Sequence, residues 1–111
     1  MGLDFGTYDA YVNVVGGIRV NEPAADLPVL MALFSSYRNR AVAAGTMIFG
    51  EVGLTGEVRR VPAMERRIMD AGKLGFERFV VPDAKLRLPE DFKGKVIRVK
   101  TVEEAIHAVF G

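Results

Sequence analysis

The run Tyr11-Val12-Asn13-Val14-Val15 is β-branched and apolar, and Ile18-Arg19-Val20 resumes it after Gly16-Gly17. This predicts a strand bent or bulged at the glycines. The period then changes. Leu27, Leu30, Met31 and Phe34 fall at i, i+3, i+4 and i+7, one face of a helix. Its start has two solutions: Pro23 in a first turn, with Pro28 then kinking the helix, or a regular helix with Asp26 as its N-cap. Thr46-Met47-Ile48-Phe49 is a short buried strand, and residues 51–54 and 57–61 flank Thr55-Gly56 as a hairpin. Pro62 opens a second helix with Met64, Ile68 and Ala71 on the buried face and Gly75 as its stop. That leaves Arg66, Arg67, Asp70 and Lys73 on the open side. Phe79-Val80-Val81 and Val96-Ile97-Arg98-Val99 are strands, separated by a loop bounded by prolines. Thr101-Val102-Glu103-Glu104 is a capping box that opens a terminal helix, with Val102, Ala105, Ile106 and Val109 inward. The predicted order is β-α-β-β-β-α-β-β-α, an α/β (α+β) domain with a mixed sheet and about three helices.

Composition narrows this picture. With 111 residues, half of them hydrophobic and 26% charged, the chain has room for one soluble core. Its apolar runs are far shorter than the ~20 residues of a membrane span, and no signal peptide opens it. There is no cysteine, so disulfides, thiolate metal sites and cysteine nucleophiles are excluded, in keeping with a cytoplasmic protein. The net charge of +1 hides an asymmetry. Residues 59–100 carry twelve Lys or Arg against six acids, whereas residues 1–58 carry three Arg against six. Such a basic segment points toward an anionic partner, or to an ordinary solvated surface.

Two segments resemble a known family. One is Gly17-Ile18-Arg19-Val20-Asn21-Glu22-Pro23-Ala24-Ala25-Asp26-Leu27. The other is Phe49-Gly50-Glu51-Val52-Gly53-Leu54-Thr55-Gly56-Glu57-Val58-Arg59, running on to Pro62 and Glu65-Arg66-Arg67. Both are similar to the Lon-protease-like domain that closes the bacterial RadA (Sms) DNA repair proteins. The likeness covers residues 9–111 and leaves 1–8 as an extension or linker remnant. It implies a Lon protease C-terminal-like fold.

In Lon peptidases the first helix opens with Gly-Pro-Ser-Ala-Gly, whose serine is the nucleophile, and a lysine on the second helix is the base. The resemblance sets Ala24 and Arg67 at those positions. A methyl group cannot attack a carbonyl, and a guanidinium with a pKa above ~12 cannot act as a base near neutral pH. The implied protein is therefore a noncatalytic, degenerate Lon-like domain. RadA proteins also resemble a fusion with a zinc finger and a P-loop ATPase, and neither motif is present in these residues. His107 on the terminal helix is a surface or packing residue rather than a base. Glu22 and Asp26, near a helix start, suit capping better than a metal. No cofactor is implied.

Arg59, Arg60, Arg66, Arg67 and Lys73 remain as a candidate DNA-binding patch. Arginine forks suit phosphate, and contact of this kind is sequence-independent and salt-sensitive. The resemblance further implies a hexameric ring, in which six modest patches act together on double-stranded DNA. A second reading makes the domain a purely structural oligomerisation or protein-docking module, with the arginines paired to Glu51, Glu57 or Asp26 of a neighbouring subunit.

Overall fold

Among residues 22–111, which the structure, a computed structural model, describes, the chain opens with a 3-10 turn (Pro23–Ala25) that runs directly into α1 (Asp26–Arg38). The strand expected over residues 11–20 and the extension at 1–8 lie outside the described residues. Each prediction for the first helix holds in part. Pro23 does start a helical turn, but of the tighter kind, and the α-helix proper begins at Asp26. Pro28 then falls within the first turn, where backbone N–H groups have no intrahelical acceptor, so its missing donor costs no helical hydrogen bond. Asp26 is the first helical residue, and its carboxylate accepts instead from Val52 N–H (3.1 Å). Asn39 closes α1 in the left-handed conformation (φ 53°).

The strands β1 (Thr46–Ile48), β4 (Arg78–Pro82) and β5 (Lys95–Val99) form a parallel sheet in the order β1-β4-β5. Thr46, Arg78 and Lys95 lie in register. Side chains alternate across it. Met47, Phe49, Phe79 and Val81 pack with Met64, Ile68 and Ala71 of α2 (Met64–Lys73). Ile48, Val80 and Val99 pack with Leu27 and Met31 of α1 and with Ala105 and Phe110 of α3 (Val102–Phe110). The sheet is thus the middle of three layers. Each fully buried side chain in it contributes roughly 1.5–3 kcal/mol relative to exposure.

β2 (Glu51–Val52) and β3 (Val58–Arg59) form a separate antiparallel hairpin, shorter than expected, with residues 53–57 as its loop. It attaches just beyond β5 through the Glu57–Thr101 bridge and the Val58 N–H to Lys100 C=O bond (2.8 Å). The expected mixed sheet is therefore, among the described residues, a parallel sheet with an antiparallel ribbon joined at one corner. Helix α2 starts two residues later than Pro62 because Ala63 takes a left-handed conformation (φ 59°). The capping box at α3 is half formed as expected. Thr101 Oγ1 accepts from Glu104 N–H (3.1 Å), but the Glu104 carboxylate accepts from Lys100 N–H (2.7 Å).

Phe79 and Phe92 meet at 5.6 Å between ring centroids, and the chain passes them at Gly94. A Cβ there would lie 2.5 Å from the Phe79 ring and 2.6 Å from Phe92. Gly94→Ala is therefore expected to cost about 1–3 kcal/mol by overpacking, read as a lowered thermal midpoint. An unchanged midpoint would show that the two rings yield freely.

Candidate nucleic-acid interface

The hairpin that carries Arg59 is held by one carboxylate. Glu57 accepts from Thr55 N–H (3.1 Å), Thr55 Oγ1 (2.6 Å), and Arg59 Nε (3.2 Å) and Nη2 (2.8 Å). Its own carbonyl accepts from Gly53 N–H (2.9 Å). The carboxylate lies over Gly53, where any Cβ would overlap it. The loop can close this way because position 53 has no side chain. At the tip, Leu54 is fully exposed.

These bonds favour the charged carboxylate and lower the Glu57 pKa from 4.5 to about 2, with the Thr55 hydroxyl the largest cause and Arg59 next. In turn Glu57 holds the Arg59 proton more firmly than usual. A group whose folded pKa is depressed stabilises the fold above its unfolded pKa and loses that contribution as pH falls through the folded value. The Thr55 amide is therefore expected to stay protected from hydrogen exchange at pH 4 and to lose protection toward pH 2. A carboxyl titration of Glu57 by NMR with its midpoint near 4.5 would contradict the latch.

From Arg59 the chain runs through exposed Arg60, anchors itself at buried Val61, and turns at Pro62-Ala63 into α2. Arg66 is 84% exposed and, among the described residues, makes only a long contact to Asp70 (3.8 Å). Lys73 is exposed in the last turn, where a cation complements the helix dipole. Glu65, the other nearby acid, accepts from Arg87 N–H (3.2 Å).

Arg67 departs from the expected patch. Its side chain is only 17% exposed; Nε donates to Pro62 C=O (3.0 Å) and Nη1 to the Glu22 carboxylate (3.3 Å). The reason is helical spacing. Positions 64, 67, 68 and 71 follow i, i+3, i+4, i+7, so Arg67 stands on the apolar stripe and must find partners at its edge. This signal was present in the sequence; the distant partner Glu22 was not. Of the five predicted cations, Arg59, Arg60, Arg66 and Lys73 face solvent, with Arg59 partly engaged by Glu57.

The structure adds cations that sequence spacing missed. Arg78, Lys93 and Lys95 join Lys73 in lining an open cleft of about 700 Å³ between the end of α2 and the start of β5, together with Glu77 and Asp91. Two of the three predicted neighbour-subunit acids, Glu51, Glu57 and Asp26, are engaged within the chain: Glu57 by Arg59 and Asp26 by Val52 N–H. Ala24 is buried, 2% exposed, in the 3-10 turn two residues after Glu22. His107 is exposed on α3. Among the described residues no group of three His, Cys, Asp or Glu gathers as a metal site requires, and no helix is long and apolar enough to cross a membrane.

A family model described as subunit ChlI of Mg-chelatase matches residues 1–85. The chain is 42% identical to the DNA repair protein RadA of Halalkalibacterium halodurans, over 100% of this chain and 24% of that protein. It is 43% identical to RadA of Bacillus subtilis with the same coverage. The RadA of Haemophilus influenzae is 53% identical over 73% of this chain and 18% of that protein. The chain spans about a quarter of the length of these relatives.

Proposed function

The chain is a RadA-type member of the family described as subunit ChlI of Mg-chelatase, and we propose that it is the noncatalytic, Lon-protease-like domain of such a DNA repair protein. In this reading it contributes to ring assembly, hexameric in the whole protein, and contacts double-stranded DNA without reading its sequence. The observation that carries the DNA contact is the open cationic surface of the hairpin and α2, where Arg60, Arg66 and Lys73 are solvent-exposed. Guanidinium and ammonium groups at a surface bind phosphate through charge and direct hydrogen bonds, which makes binding fall as salt rises. Base recognition has no counterpart among the described elements, so contact is to the backbone.

Two placements support the reading that peptidase chemistry is absent. The Glu22–Arg67 ion pair draws α2 to the turn that carries Ala24, so the positions expected for nucleophile and base belong to one neighbourhood. That neighbourhood holds a buried methyl group and an arginine engaged by a carboxylate and a carbonyl. Neither group can attack or deprotonate. ATP hydrolysis and recombination belong, in this reading, to the remaining three quarters of the whole protein.

One observation favours the docking alternative: Leu54 projects fully exposed from a loop made rigid by Glu57, as an anchor for a protein surface would. Light-scattering mass of the purified chain, with and without a labelled duplex at low and moderate salt, separates the readings. A ring-sized particle that takes up duplex and releases it as salt rises supports DNA contact. A ring that ignores duplex at low salt leaves the assembly role alone, and a monomer that ignores duplex removes both.

A further inference from the structure

The strand β5 is the last in the parallel sheet, and its pairing uses only alternate residues. Lys95 N–H donates to Glu77 C=O (2.8 Å), and Asp83 N–H donates to Val99 C=O (2.9 Å). In a parallel ladder this turns the backbone groups of Lys95, Ile97 and Val99 toward β4 and those of Val96 and Arg98 outward. Among the described residues no backbone group pairs with Val96 or Arg98 on that side. The edge does accept a strand where one is supplied: a little further along, the outward carbonyl of Lys100 receives Val58 N–H from the hairpin. The hairpin then turns away at Arg59, leaving the stretch from Lys95 to Arg98 open among the described residues.

Its side chains have a definite order. Lys95 and Arg98 are exposed, while Val96 and Ile97 are half-buried, one on each face of the sheet. Neither Lys95 nor Arg98 makes an ion pair among the described residues; Arg98 Nη1 reaches only the Ala84 carbonyl (3.3 Å). Beside Lys95, in register on β4, Arg78 donates to Ala108 C=O (3.3 Å), and its buried Nε has no partner among the described residues. A groove of about 680 Å³ runs along this face between β5 and α3, past Ile97. Glu103 and Glu104 line its far end near Val99, and Glu104 is already held by Lys100 N–H.

We propose that the outer edge of β5 is a docking edge for an extended acidic peptide that adds as a strand. Residues directly opposite in a sheet interact most favourably when charges are opposite and apolar faces match. The complement of Lys95-Val96-Ile97-Arg98 is acid, apolar, apolar, acid, and it is the same read in either strand direction. The outward N–H and C=O groups of Val96 and Arg98 supply the backbone bonds, and the alternate side chains supply selection. A second copy of this edge is a poor occupant, because antiparallel pairing would set Lys95 against Arg98; charged edges of this kind keep like edges apart. A nucleic-acid backbone would engage the cations but leave the strand amides and the Val96–Ile97 pair unused.

The probe is the blocked hexapeptide Thr-Glu-Val-Val-Glu-Thr, with fluorescence anisotropy for binding and amide hydrogen exchange for location. Binding is expected to slow exchange at Val96 and Arg98, with no such protection by Thr-Lys-Val-Val-Lys-Thr or by the glutamate peptide N-methylated at alternate residues. Arg98→Pro removes an outward N–H and no bond to β4, so the sheet is retained and affinity falls at least about tenfold. The double change Lys95→Glu and Arg98→Glu is expected to transfer preference to the lysine peptide. Equal binding of the N-methylated peptide would reduce the site to charge attraction and overturn strand addition. Protection of the same amides by duplex DNA but not by peptide, or by self-association alone, would also overturn it.

Discussion

Gly50→Ala is expected to destabilise the domain by about 2–5 kcal/mol, through backbone strain together with overpacking. Gly50 has φ 154°, a conformation that L side chains rarely adopt. A Cβ there would stand 3.1 Å from Val58 of β3 and 3.2 Å from Pro82 of β4, so two elements would have to give way at once. The backbone is committed as well: Gly50 N–H donates to Ala24 C=O (3.0 Å), and Gly50 C=O receives Leu27 N–H (2.9 Å). These bonds dock the 3-10 turn and the start of α1 on the end of β1. Against the roughly 5–15 kcal/mol that holds a domain folded, the loss is large. A denaturant or thermal midpoint within error of the parent would show that the turn is not held as described.

The second large effect is on DNA. The combined reversal Arg60→Glu, Arg66→Glu and Lys73→Glu is expected to abolish duplex binding at moderate salt while leaving the melting midpoint nearly unchanged. All three side chains are exposed, and exposed charges contribute little to folding. Each lost phosphate contact should also lower the salt slope of binding by about one. Arg67→Ala is the informative contrast. It removes the partner of Glu22 and of the Pro62 carbonyl, so the thermal midpoint should fall, while duplex affinity and its salt slope stay unchanged in the folded protein. The opposite pattern, with Arg67→Ala weakening DNA binding and the triple reversal harmless, would move the interface to the other side of α2.

Much of this organisation was legible in the residues. The alternation of period 2 and period 3.6 placed every described strand and α-helix in its correct order, and Thr101 capped the last helix as its motif required. What escaped depended on contacts between distant parts of the chain. The hairpin is shorter than alternation suggested because Glu57 folds back over Gly53 and takes residues 53–57 into the loop. Arg67 was placed in the patch because charge was weighed above its position on the apolar stripe. The order β1-β4-β5 was beyond local patterning, and with it the position of β5 at an edge of the sheet among the described residues.

The parallel pairing of β1 with β4 also bears on how the chain is made. Ile48 and Val80 are neighbours in the sheet, but the hairpin and α2 lie between them in sequence. A ribosome adding about 5–20 residues per second needs roughly 2–6 seconds to pass from β1 to β4. Throughout that interval Met47, Ile48 and Phe49, all buried in the finished domain, lack the strand that later covers them. Non-local pairing of this kind also slows refolding from denaturant. The segment from Thr46 to Phe49 is thus exposed in the nascent chain to chaperone capture or to sticking to its own kind.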